Sequence, residues 1–191
     1  MGHKLGRRTR ERARAVDVLY EAHVRGLDNP EGIFSLAQLR QVEFNAQTPL
    51  PEYSREILEG VAEHLERIDA ALSTYSLAWP LERMPEVDLA IMRVATWEIL
   101  YNPEVDGPVA IQAAIQIAEE RSTDESPKFV NGLLGAINDQ KTALQGGELP
   151  EKLSGEAIAT LEESAPKSFD SEAKIAAGGD ILEQIDLDNL E

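Results

Sequence analysis

Residues 126–138 read SPKFVNGLLGAIN, and inside them stands Asn131-Gly132, the dipeptide that most strongly signals a tight hairpin. A hairpin needs alternating apolar strands on either side, and none flank it. Val130, Leu133, Leu134 and Ile137 instead follow i, i+3, i+4, i+7, the spacing of one apolar helix face. Ser126 suits an N-cap and Pro127 the first helical position. The stretch therefore predicts a helix. Lys128, Asn131, Gly132, Gly135 and Asn138 lie on or beside its outer face, and Phe129 sits at the edge of the apolar stripe, toward either the core or a partner. Two helix-interior glycines cost about 1 kcal/mol each relative to alanine. They are either tolerated or kept for close approach by another backbone.

The same period extends upstream. Ala15, Val16, Leu19 and Ala22 predict a first helix ending at Gly26, with Pro30 as a stop; Ile33, Leu36, Ala37 and Phe44 predict a second. Leu58, Val61, Leu65, Ile68, Leu72 and Tyr75 form one long stripe. The stretch PEVDLAIMRVATWEIL is apolar on more than one side and predicts a buried central helix stopping at Asn102-Pro103. Ile111, Ala114, Ile115 and Ala118 mark another. The expectation is all-α: a compact bundle of six to seven helices within residues 1–144. Residues 145–191, rich in Gly, Ser, Pro and Glu, predict an acidic, mostly disordered tail, with ILEQIDLDNLE as its one docking element.

The chain has 191 residues, no cysteine and a formal charge of −17. Disulfides and thiolate metal sites are excluded, and His3, His23 and His64 have no ligand spacing. No metal and no cofactor are expected. Arg93 interrupts the longest apolar run, so a membrane span is not expected either, and the N-terminal arginines lack the apolar segment of a secretory signal. A cytoplasmic protein is expected. P-loop, GxGxxG, HExxH and nucleophile–base patterns are missing, so no enzyme is predicted.

The charge is unevenly spread. Residues 1–25 hold seven Lys/Arg against three Asp/Glu, whereas residues 145–191 hold three against 12. In KLGRRTRERAR, residues 4–14, five arginines and one lysine stand against one glutamate. With Val16 facing the core, Arg7, Arg10 and Arg14 fall within about 60° of the opposite side, and Arg8 and Arg12 flank the core stripe. A charge run is ordinarily a solvated face. Here the charge is arginine, whose planar fork suits phosphates and bases, on a chain whose other surfaces repel nucleic acid. RNA or DNA contact is expected at this face.

Three blocks in order resemble the bacterial transcription antitermination factors of the NusB family: the arginine-rich start running into AVDVLYEA, the central VDLAIMRVATWEIL, and AIQAAIQIAEERSTDESPKFVNGLLGAI. The resemblance spans about residues 7–140, and KFVNG is its most specific part. It implies two packed helical subdomains, of about 1–76 and 77–144, and no enzymatic activity. It also implies binding of single-stranded boxA RNA in ribosomal RNA leader transcripts together with NusE, a small-subunit ribosomal protein, so that RNA polymerase reads through terminators.

The resemblance carries the arginine-rich motif onto Arg8, Arg10, Arg12 and Arg14, with the aromatic of its LY on Tyr20. It carries a second RNA-contacting patch onto Lys128, Phe129 and Asn131, and a contact for basic NusE onto Asp88. The chain departs from the family's INEAVELAK at Gln112, Ala113 and Glu119, and in its acidic tail, which could fold back on the arginines and compete with RNA. Rival readings are an RNA-binding module like those fused to ribosomal RNA methyltransferases, and a helical scaffold docking basic ribosomal proteins. A homodimer is left open.

Overall fold

The computed structural model describes residues 5–41, 49–76 and 79–146. Among these are seven α-helices and no strand: α1 (Arg7–Val24), α2 (Pro30–Leu39), α3 (Glu52–Tyr75), α4 (Glu86–Tyr101), α5 (Gly107–Arg121), α6 (Ser126–Asp139) and α7 (Lys141–Gln145), with a single 3-10 turn, Leu81–Arg83. Phe44, the expected boundary near 76/77 and the tail beyond Gly146 lie outside the described residues, or at their edge. Gln145 still belongs to the bundle: its amide Nε2 donates to the Leu100 carbonyl at 2.7 Å.

Helix ends follow local chemistry. After α1 the chain turns at Gly26, φ +68°, with Leu27 N–H donating to Ala22 O at 2.8 Å and Gly26 N–H to His23 O at 3.0 Å. These two bonds are the Schellman closure, and the left-handed residue it needs is a glycine without steric cost. Pro30, expected as a stop, instead opens α2 at its first turn, while the Asn29 side chain accepts from Gly32 N–H at 2.9 Å. Asn-Pro thus serves as cap and first residue.

α4 is the axis of the bundle. Every residue from Asp88 to Leu100 is buried, and the helix packs against α1, α3, α5, α6 and α7. An element surrounded on all sides has no polar face to keep, which explains why apolar residues occupy every side of it. One apolar cluster continues from Ala13 through α4 to Ile137. Arg93, a charge inside α4, is buried but donates to Asp69 at 2.9 and 2.8 Å and to Asp28 at 2.6 Å. Burial opposes its charge, and these bonds outweigh burial, so it stays a cation.

The stretch 126–138 is helical throughout, with Val130, Leu133, Leu134 and Ile137 fully buried. Each contributes about 1.5–3 kcal/mol of burial. Its outer glycine explains nothing by contact: a Cβ on Gly135 would meet no atom within 4 Å. Close approach is required elsewhere. A Cβ on Gly107 would lie 1.8 Å from Asn138 Oδ1, and one on Gly60 would lie 2.0 Å from Trp97 Nε1. Ser126 is not an N-cap. It is the first residue of α6, buried, with its hydroxyl turned inward to Asp88.

Candidate nucleic-acid interface

α1 begins without a side-chain cap and has no acidic residue in its first turn. A helix N-terminus carries partial positive charge, so arginines placed there act against helix stability. Their charge adds to the dipole instead, and both favour a bound anion. Arg7 and Arg8 have side chains 86% and 63% exposed, Arg10 is exposed, and Arg14 is 43% exposed with Asp17 at 3.9 Å. Glu11 lies beneath them, bound by Arg7 Nε at 3.0 Å and approached by an Arg8 nitrogen at 3.5 Å. Tyr20 is half-buried two turns further on.

Arg12 corrects the expected set. Its side chain is 6% exposed, and its Nε donates to both carboxylate oxygens of Glu98 at 2.9 Å. It precedes the core residue Val16 by four positions, about 40° away on the wheel, and so points inward with it. The Tyr53 hydroxyl also donates to Glu98. Burial, and after it the Glu98 carboxylate, push the Tyr53 phenol well above its usual range and keep it a donor. Arg8 and Arg12 both place their guanidinium carbons over the Tyr53 ring, 4.1 and 5.5 Å from its centroid. Sequence reasoning missed Tyr53 and Glu98. The signal was available: a glutamate within an otherwise apolar buried run requires a cation, and Arg12 faces the same side as Val16.

On α6, Lys128 and Asn131 are exposed. Phe129 is corrected to the core, 4% exposed, so the outer face carries no aromatic from this helix. Asp88, expected to meet a basic partner, is fully buried and accepts from Ser126 Oγ at 2.7 Å. It lies in the first turn of α4, where the start of α6 covers it. Burial raises its pKa, against the hydrogen bonds of Ser122 and Ser126. Its Oδ1 has no hydrogen-bond partner among the described residues.

The structure brings Arg8, Arg12 and Tyr53 into one assembly, and Asp88 and Ser126 into another. α1 and α6 both rest on α4 and α5. Beside Arg7 and Arg8 opens a shallow cleft of about 600 Å³, walled on its other side by Pro51, Glu52, Tyr53 and Glu56. No helix among the described residues is long and apolar enough to cross a membrane.

The NusB family model matches residues 9–139. The chain belongs to the NusB family. It is 50% identical over 137 residues to the transcription antitermination protein NusB of Kineococcus radiotolerans, covering 72% of this chain and 96% of that one. With NusB of Arthrobacter sp. the identity is 47% over the same shares. With NusB of Bifidobacterium longum subsp. infantis it is 41% over 166 residues, 87% of this chain and 81% of the other. The T. maritima NusB structure superposes with a TM-score of 0.58 at 26% identity, covering 82% of this chain and 99% of that one. The NusB fold recurs, at 21% identity and a TM-score of 0.54, in a structure of NusB and NusE in complex with dsRNA, over 70% of this chain and 98% of that one. As a NusB family member, the chain is a transcription antitermination factor.

Proposed function

We propose that this chain binds single-stranded boxA RNA of ribosomal RNA leader transcripts together with NusE, and holds it within the RNA polymerase antitermination complex. The RNA lies across Arg8, Arg10 and Arg14 of α1, joined by Arg7, with Lys128 and Asn131 of α6 as the second patch. The observation that carries this reading is the exposed arginine cluster at the positive end of α1, on a chain of net charge −17. Residues 26–191 carry a net charge of −21 (−17 less the +4 of residues 1–25), a field that repels a polyanion. The neighbouring structure of NusB and NusE with RNA supports the choice of partners. The chain works by binding rather than catalysis, in the cytoplasm. Arg12 supports the face from beneath, and Asp88 and Phe129 hold α4 and α6 together under the second patch.

Fluorescence anisotropy with a labelled boxA-like RNA, with and without NusE, tests the reading. With four arginines on phosphates, log K against log salt is expected to fall with a slope of about −3. Charge reversal at Arg10 is expected to flatten the slope by about 0.7 or more. A slope near zero excludes this face, and binding of NusE without any RNA affinity would favour a protein-docking scaffold.

A further inference from the structure

The proposed RNA face ends at a seat and a cleft that phosphate binding alone does not use. Arg8 lies over the Tyr53 ring at 4.1 Å, yet its own side chain is 63% exposed, so the guanidinium is seated on the ring while much of the side chain stays open to a ligand. The seat is rigid. Tyr53 is 7% exposed and donates to Glu98, which is itself fully buried and held by Arg12. Arg8 lines the 600 Å³ cleft, and so do Glu52 and Glu56, both exposed and without a cation among the ion pairs of the described residues. Two carboxylates without a cation make the interior of the cleft unfit for a phosphate. They fit a group that is flat, neutral and rich in donors.

We propose that this cleft is a nucleobase pocket of the RNA site, and that it selects guanine. The base stacks on the open side of Arg8, an established way for proteins to hold unpaired bases. Its Watson–Crick edge points at Glu52 or Glu56. Guanine presents two adjacent donors there, N1–H and the N2 amino group, and one carboxylate accepts both. Uracil presents a single N–H between two carbonyl oxygens, which a carboxylate repels; adenine and cytosine each offer one amino donor beside an acceptor. Arg8 is then the stacking residue, and Tyr53 a positioning residue that acts through it. This inference rests on the RNA-binding reading above and names the base read at one end of that site.

The test uses the full chain with its NusE and two labelled twelve-nucleotide RNAs, oligouridine and the same strand with one central guanine. The guanine strand is expected to bind roughly tenfold tighter, in keeping with one stacked and hydrogen-bonded base. The double variant E52Q/E56Q is expected to lose that preference while binding oligouridine at least as well as the parent. R8K keeps the charge but not the plane, so it is expected to lose the preference. Both changes lie on the surface. Equal binding of the two strands by the parent, or a preference that survives E52Q/E56Q, overturns the pocket while leaving RNA binding intact. Failure to bind either strand overturns the reading on which the pocket rests.

Discussion

Arg10 and Arg12 stand two positions apart on one helix and do opposite work. Arg10 meets solvent, whereas Arg12 neutralises Glu98 inside the bundle. Removing one partner of a buried pair strands the other's charge, at about 3–5 kcal/mol. R12A is therefore expected to lower the urea midpoint severely, and R12M/E98M to recover much of the loss; equal damage in both would show that the ion pair is not the cause. The pair was half legible in the sequence. The wheel placed Arg12 near the core stripe, but only packing shows which neighbour covers it. Asp88 makes a second case. Its burial raises the folded pKa above the unfolded value of about 3.9, so its favourable contribution is complete below that value and fades as pH climbs through the folded one. Thermal melts of D88N and parent are expected to diverge from about pH 4 upward, the parent losing ground; parallel curves would refute this.

At the scale of helices, periodicity was the dependable signal, because 3.6-residue spacing and a buried face are the same physical fact. The six positions read as the stripe of α3 and the four read for α6 are all buried, as is α4 on every side, while Tyr53, Ile57 and Phe129 join the core without having been read into it. Local punctuation was less dependable. Asn131-Gly132 signals a turn only where flanking strands can pair, and Pro30 ends one helix or begins another according to the residue before it. Glycine meaning was the least legible, since it depends on what faces the missing Cβ. Gly135 faces open space and Gly60 faces Trp97. G135A is accordingly expected to raise stability by about 1 kcal/mol, while G60A is expected to lower it by roughly 1–3 kcal/mol through overpacking. Calorimetric melting of the two variants checks both signs, and a fall for G135A would reveal a strain that the open surroundings do not contain.

For the molecule as a whole, electrostatics sets the terms of association. Residues 147–191 carry 12 acidic and three basic side chains, against an arginine face bearing the site proposed for RNA. Any time those acids spend near α1 competes with phosphate, and salt weakens the competition because the Debye length shrinks from about 10 Å at 0.1 M to 3 Å at 1 M. Deleting 147–191 is expected to tighten RNA binding at low salt, with the two forms converging as salt rises; unchanged affinity at low salt would dispose of the effect. The sequence showed the charge asymmetry without any structure, since counting charges needs no coordinates. It could not show the seat beneath Arg8, which takes residues from α1, α3 and α4.

α4 anchors both ends of the candidate RNA surface from beneath, through Glu98, which holds Arg12 and Tyr53, and through Asp88, which holds Ser126 at the start of α6. Ten helical steps separate those two anchors, a span of about 15 Å along a rod with no glycine or proline to bend it. The protein is in this sense a fixed-gap caliper. An RNA that engages both jaws must bring the right number of nucleotides between them, and one nucleotide more or fewer has to be looped out or stretched by the RNA, since the rod will not yield.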